Sequence, residues 1–266
     1  MRLDKYLKVS RIIKRRTVAN EVCDAKHVTV NGKIARASLE VKVGDIIEIQ
    51  MGSNLSKYEV LNIDHATPKN PQHNSLWKKV DICNAQQLKQ AIHEFNPHYV
   101  LHLAARTDLM GKSVEEYSAN TDGVEHLLQA LDELTQLKRV VFTSSMLVCK
   151  VGYQPTHEQD YSPSTFYGES KVITEKIIRK HNPSYEWAII RPTSIWGPWF
   201  GVPYANFFKM VLSHTYVNLG KHACTKTYGY IDNAIYQIMA IFSAEAKNIH
   251  QRMFYIGDYE PYNISD

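Results

Sequence analysis

Glycine is scarce where it would matter most. Only 12 of the 266 residues are glycine. No three of them stand at the G-x-G-x-x-G or G-x-x-G-x-x-G spacing that brings backbone amides onto a pyrophosphate at a helix N-terminus. Cysteine is nearly absent too. Cys23, Cys83, Cys149 and Cys224 are far apart and form no C-x-x-C pair, which argues against a zinc site and a disulfide framework and suits a reducing cytoplasm. No stretch approaches the roughly eighteen apolar residues of a membrane span. The front end carries Arg2, Asp4, Lys5 and Lys8 where a signal peptide would have an unbroken apolar core. The expectation is a cytoplasmic protein without a membrane partner.

What is present is of ordinary globular composition, 44% hydrophobic and 22% charged, and long enough for two modest domains. The formal net charge of +4 conceals an asymmetry. Residues 1–36 carry ten Lys and Arg against Asp4, Glu21 and Asp24, a net +7, which leaves −3 for everything after them. Such a split predicts a polyanionic partner for the front end and none for the remainder.

From Leu3 to Ala25 apolar residues recur every three or four positions, the pattern of two short helices. On the first, the steps between Lys8, Arg11, Lys14 and Arg15 predict a shared cationic face along which a phosphate backbone can run. His27-Val-Thr-Val-Asn-Gly-Lys33 then alternates into Asn31-Gly32, a strong hairpin signal. A second alternating strand, Asp45 to Gln50, follows Gly44.

This order, with Met1-Arg-Leu-Asp-Lys-Tyr-Leu7, Ile13-Lys-Arg-Arg-Thr17 and Val30-Asn-Gly-Lys33, resembles the S4-like RNA-binding domain, especially the stand-alone RqcP type of ribosome quality control. The resemblance implies binding to structured RNA of the large ribosomal subunit, with tRNA nearby, during rescue of stalled ribosomes. It places Arg2, Asp4, Lys5, Arg15, Arg16 and Thr17 on the RNA surface, beside the cations Lys8, Arg11 and Lys14.

Beyond residue 57 apolar strands alternate with helices: Tyr99 to Leu103, Gly123 to Leu134, Arg139 to Phe142, Gly168 to Lys180, Trp187 to Ile190, Ile231 to Phe242 and Met253 to Ile256. That alternation predicts a parallel sheet covered on both faces, with ligands at the carboxyl ends of its strands. Thr143-Ser-Ser145 follows one strand, and Tyr167-Gly-Glu-Ser-Lys171 begins 22 residues past Ser145. Tyr and Lys at i, i+4 share a helical face, so the ammonium is expected to lower the phenol's pKa while a neighbouring serine holds a substrate hydroxyl. Among sixteen tyrosines a lone Tyr-x-x-x-Lys arises roughly once by accident, so the context carries the weight.

That context resembles the extended short-chain dehydrogenase/reductases, the NAD-dependent epimerase/dehydratase family. It consists of Val80-Asp-Ile82, His102-Leu-Ala-Ala105, Ala119-Asn-Thr-Asp-Gly123, Phe142-Thr-Ser-Ser145, Tyr167 with Lys171, Arg191-Pro192, Trp196-Gly-Pro198 and Tyr230-Ile-Asp-Asn233. The resemblance implies a catalytic triad of Ser145, Tyr167 and Lys171 and a nicotinamide cofactor, NAD. It puts the adenosine ribose at Asp64, adenine at Asp81 and Ile82, pocket contacts at Leu103, Ala104 and Ala105, and a sugar nucleotide as substrate. A histidine in an apolar strand, such as His102, is more often a core residue than a ligand contact. Trp187, Trp196 and Trp199 are expected to pack.

The expected architecture is therefore α/β: a small α+β S4-like module over 1–57, then over 58–266 an incomplete doubly wound, Rossmann-like parallel sheet without its first strand and glycine-rich loop. The run Lys57 to Ile63 suits either the last strand of the module or the second strand of the sheet. Three readings follow. In the first, an RNA-binding protein carries a degenerate enzyme domain. In the second, a working NAD-dependent epimerase, dehydratase or reductase uses Ser145, Tyr167 and Lys171. In the third, the join is a recombination product without a joint function.

Overall fold

A computed structural model describes residues 2–9, 13, 16–41, 45–51, 54–58, 61–66, 77–197, 200–201, 204–215, 225–258 and 262–263. Two helices open the chain, α1 (Leu3–Val9) and α2 (Arg16–Asp24). The strands β1 (Val28–Val30), β2 (Lys33–Ile34), β3 (Ile47–Met51) and β4 (Asn54–Tyr58) follow, paired antiparallel in the order β2-β1-β3-β4. Asn31 and Gly32 both take positive φ, 53° and 74°. A two-residue hairpin turn needs this conformation if it is to match the twist of its strands. Leu3, Leu7, Ala19 and Cys23 of the helices close over Val28, Val30, Ile47 and Ile49, one face of an alternating sheet.

The first of the two expected short helices is present. It is described over Leu3–Val9; the side chain of Lys8, and Arg11, Lys14 and Arg15, on which the shared cationic face depends, lie outside the described residues.

The run from Lys57 to Ile63 resolves into both of its alternatives. Its front belongs to β4, paired with β3. Its end belongs to β5 (Asn62–Asp64), paired parallel with β6 (Trp77–Lys79). After these come α3 (Ala85–Phe95), β7 (Tyr99–His102), a 3-10 turn over Glu115–Asn120, α4 (Asp122–Asp132) and β8 (Arg139–Thr143). The chain continues through a short turn Met146–Val148, α5 (Phe166–His181), β9 (Glu186–Pro192) and β10 (Ser194–Trp196). It closes with α6 (Tyr204–Leu212), β11 (Thr225–Lys226), β12 (Tyr228–Tyr230), α7 (Ile231–Ser243), α8 (Ala246–Ile249), β13 (Arg252–Ile256) and β14 (Tyr262–Asn263).

The central sheet runs β13-β9-β8-β7, parallel throughout. β8 shows why its strands are unbroken apolar runs. Val140 and Phe142 pack against α3, α4 and α5 with Leu88, Leu128 and Ile178. Val141, on the opposite face, packs with Ala234, Ile241 and Ile249 of α7 and α8. Both faces are covered, as in a doubly wound sheet. Each of these β8 side chains is fully buried, contributing on the order of 1.5–3 kcal/mol of transfer free energy. Among the described residues β7 pairs only with β8, and β5 only with β6. No described helix is long and apolar enough to cross a membrane.

Candidate functional site

The carboxyl end of β8 and the start of α5 meet. Ser145 caps the turn Met146–Val148, its Oγ accepting the Leu147 N–H at 3.1 Å. Thr165 caps α5 by accepting the Gly168 N–H at 3.0 Å. A Cβ on Gly168 would stand 2.2 Å from the Leu147 carbonyl oxygen, so glycine lets the helix start lie directly against the serine turn. Tyr167 is thereby brought within hydrogen-bonding reach of the Ser145 hydroxyl.

One turn further on, Lys171 is 1% exposed and its Nζ donates to the Thr143 carbonyl at 2.9 Å. Burial lowers its pKa to about 8, against the pull of Glu175. The Tyr167 phenol departs from expectation. Its pKa is raised, because burial outweighs the hydrogen bond from Ser145. The three residues are assembled at one strand end.

Beneath them lies a charged network of which the sequence had singled out only Arg191. Glu175, 0% exposed, continues the helical rail Tyr167, Lys171 at a further i+4 step. It accepts from Ser144 Oγ at 2.6 Å, from Arg191 Nε and Nη2 at 2.8 Å each, and from Tyr161 Oη at 2.9 Å. Arg191, also fully buried, donates further to the Glu158 carbonyl at 2.6 Å and the Tyr255 hydroxyl at 3.3 Å. Asn120 ties the loop after β7 to α5: it accepts the Arg106 N–H at 2.9 Å and donates to Ser170 Oγ at 2.9 Å. These groups fix the serine turn and the helix relative to each other.

The residues expected at the adenosine end share one cleft. Asp64, Asp81, Ile82, Leu103, Ala104 and Ala105 all line a space of ≈ 770 Å³ between β5 and β7. Asp64 accepts the Ala66 N–H and Asp81 the Cys83 N–H, both at 2.9 Å. His102 is 4% exposed. Burial, reinforced by Lys171 and opposed by a hydrogen bond with the Ala104 backbone, lowers its pKa to about 3. Trp187 packs in the core and Trp196 against Tyr230 and Phe208; Trp199 lies outside the described residues. Among the described residues no glycine lines the cleft, and the helix that starts beside it, α3, has its N-terminal amide at Gln87 capped by Asn84. The fit to a dinucleotide is therefore partial. Groups suited to its two ends are present, and among the described residues no amide cradle for its pyrophosphate accompanies them.

A second site lies on the basic module. Asp4 is 1% exposed and accepts from Arg2 Nε at 3.1 Å and Nη2 at 3.3 Å, from Arg16 Nε at 2.8 Å, and from the Lys5 N–H at 2.9 Å. Burial alone would raise its pKa, but the hydrogen bonds from Arg16, Arg2 and Lys5 overturn that and bring it to about 2. Both arginine side chains remain about half exposed, 51% and 52%. Lys5 and Thr17 are exposed beside them. Of the residues expected on the RNA surface, Arg2, Lys5, Arg16 and Thr17 are at the surface and Asp4 lies beneath it. The Lys8 side chain is outside the described residues, as are Arg11, Lys14 and Arg15.

Comparison with known proteins matches both parts. The model of the NAD dependent epimerase/dehydratase family covers residues 51–257, and that of the S4 domain residues 1–47. The RQC P-site tRNA stabilizing factor of Streptococcus pneumoniae is 55% identical over 69 residues, 26% of this chain and 78% of that protein. An Escherichia coli O157:H7 protein, N-acetyl-alpha-D-glucosaminyl-diphospho-ditrans,octacis-undecaprenol 4-epimerase, is 27% identical over 191 residues, 70% of this chain but 54% of that protein. Among solved structures, UDP-glucuronic acid 4-epimerase from Bacillus cereus, in complex with UDP-glucuronic acid and NAD, superposes with a TM-score of 0.65 at 24% identity. That match covers 79% of this chain and 72% of the other.

Proposed function

We propose, from the premise that the chain belongs to the NAD dependent epimerase/dehydratase family and carries an S4 domain at its front, that its working activity is the binding of structured RNA. The RNA is that of the large ribosomal subunit with tRNA nearby, bound during rescue of stalled ribosomes. The module responsible spans residues 1–57, and 58–266 form an enzyme domain without its cofactor loop.

The observation that carries the reading is the pair of half-exposed guanidiniums fixed on buried Asp4. A guanidinium held by one edge keeps its remaining N–H groups directed outward at no further entropic cost, which is what phosphate recognition on a folded RNA needs. The likeness to a P-site tRNA stabilizing factor supports the choice of RNA. Arg16→Ala is expected to weaken co-sedimentation of the full chain with large ribosomal subunits by about tenfold and to reduce the dependence of log K on log salt by about one ion. An affinity unchanged at physiological salt contradicts the assignment.

One observation favours a second reading, an NAD-dependent epimerase or dehydratase of sugar nucleotides: Ser145, Tyr167 and Lys171 are assembled at one strand end. Against it stands the cleft without an amide cradle. NAD would supply hydride transfer if bound; this chain's own contribution is a Tyr167 phenol held by Ser145. Calorimetric binding of NAD with Kd below about a millimolar decides for this reading.

A further inference from the structure

The loop that follows β7 is built around one aromatic ring. Tyr117 is 0% exposed, and its hydroxyl both donates to the Asp108 carbonyl at 2.9 Å and accepts the Gly111 N–H at 3.1 Å. A Cβ on Gly111 would stand 2.4 Å from the Tyr117 ring, so the loop closes onto that ring only with glycine there. Arg106 fastens it. Its Nε and Nη2 hold the Asp108 carboxylate at 2.8 and 3.2 Å, and its Nη1 donates to the Glu116 carbonyl at 3.0 Å and carboxylate at 3.2 Å. The same guanidinium lies over the Tyr117 ring, 5.0 Å from its centre. One side chain thus ties the start and the end of the loop to the ring they enclose.

Stability does not account for so many bonds on one arginine. Arg106, Asp108 and Glu116 are each a third to a half exposed, and ion pairs in contact with water add little to folding. What they add is direction, because a guanidinium held on two edges cannot turn. The ring it holds faces Tyr167, with centres 6.1 Å apart and planes at 55°. The backbone of α5 fixes where Tyr167 starts, and the torsions of its side chain are left to its neighbours. Asn120 joins the two parts: it accepts the Arg106 N–H, and it donates to the Arg106 carbonyl at 3.0 Å and to Ser170 Oγ of α5 at 2.9 Å.

We propose that Tyr117 is a positioning residue for Tyr167: fixed by its own hydroxyl and by Arg106, its ring sets the direction of the Tyr167 ring and keeps that phenol on Ser145. Arg106 acts at one remove, through Tyr117 alone. A reacting group has to be held to within about half an ångström by neighbours that are themselves locked, and the loop supplies such a neighbour on one face of the phenol. The inference rests on the triad of the second reading. Its test needs no NAD, so the failure of cofactor binding and the failure of the positioning role are read separately.

The test uses the full chain with carbon-13 in its tyrosine rings, the Tyr167 signal being assigned by its loss in Tyr167→Phe. Arg106→Met changes only a partly exposed side chain, and Tyr117→Leu removes the ring itself. In both, the Tyr167 ring signal is expected to split or to broaden at least about twofold as the ring takes up more than one orientation. Its ionisation should move to higher pH, because the hydrogen bond from Ser145 that opposes burial is weakened. The signal of Tyr185, buried in the core with Trp187, should stay as in the wild type. Arg106→Lys, which keeps the charge and loses the planar fork, should behave as Arg106→Met does. An unaltered Tyr167 signal in Arg106→Met or in Tyr117→Leu overturns the proposal, and so does a wild-type signal in Arg106→Lys. Equal broadening of Tyr185 assigns the loop to general stability, ionisation at lower pH means that water has entered instead, and either result overturns it as well.

Discussion

Glu175→Ala is expected to destabilise the epimerase-family domain by about 3–5 kcal/mol, a fall in melting temperature of about 10 °C. The reason is the partner left behind. Burial by itself lowers the pKa of Arg191, and Glu175 more than restores it. Without that carboxylate the guanidinium stays at 0% exposure with only the Glu158 carbonyl and the Tyr255 hydroxyl as acceptors. Ser144 and Tyr161 lose their acceptor in the same step. The double replacement Glu175→Leu with Arg191→Met removes both charges and should recover most of the loss, since an apolar pair of similar volume is often as stable as a buried ion pair. Thermal unfolding of the wild type, the single and the double variant checks this. A single variant within about 1 kcal/mol of wild type would show that the pair is not structurally required.

Asp4→Ala should cost RNA affinity more than Arg16→Ala does, about a hundredfold against tenfold, although Asp4 itself is beneath the surface. It releases Arg2 and Arg16 together, and each must then pay its own ordering entropy to meet a phosphate. The same carboxylate predicts a pH dependence. Its folded pKa, about 2, lies below the ordinary 3.8, so the folded state holds its proton less tightly than the unfolded chain. The stabilisation is fully present above about pH 4 and is lost as pH falls through about 2. Acid unfolding followed by the fluorescence of Tyr6, which packs against the module's core, should show this loss in the wild type and not in Asp4→Ala. RNA affinity of Asp4→Ala equal to that of wild type would remove the positioning role.

Much of the architecture was legible because its signals are local. Asn31-Gly32 specifies a hairpin turn from two residues, and β8 and β9 are apolar on consecutive positions because both of their faces are covered. What was missed depends on three-dimensional context. The α3 sequence, Ala-Gln-Gln-Leu-Lys-Gln-Ala-Ile-His-Glu-Phe, is largely polar and commits only Leu88, Ala91 and Ile92 to the core. Its limits were nevertheless written in Asn84, which caps it, and in Asn96, which ends it at φ 50° just before Pro97.

The site divides in the same way. Tyr167 and Lys171 were found from an i, i+4 step. Glu175 was passed over because a carboxylate on a helix ordinarily faces water, although it stands one further step along the same face. The state of the phenol was misjudged because desolvation is set by what packs around a residue, which spacing does not record. Lys57 to Ile63 was undecidable, since an alternating run suits an edge of either sheet; the chain divides it between the two.

The central claim is that the front module works and the cofactor site does not. Parallel titrations of the purified full chain with large ribosomal subunits and with NAD, each at two salt concentrations, test it most directly. The account predicts ribosome binding that weakens steeply with salt and no NAD binding at millimolar concentration. Saturable NAD binding together with salt-insensitive or absent ribosome binding would contradict it.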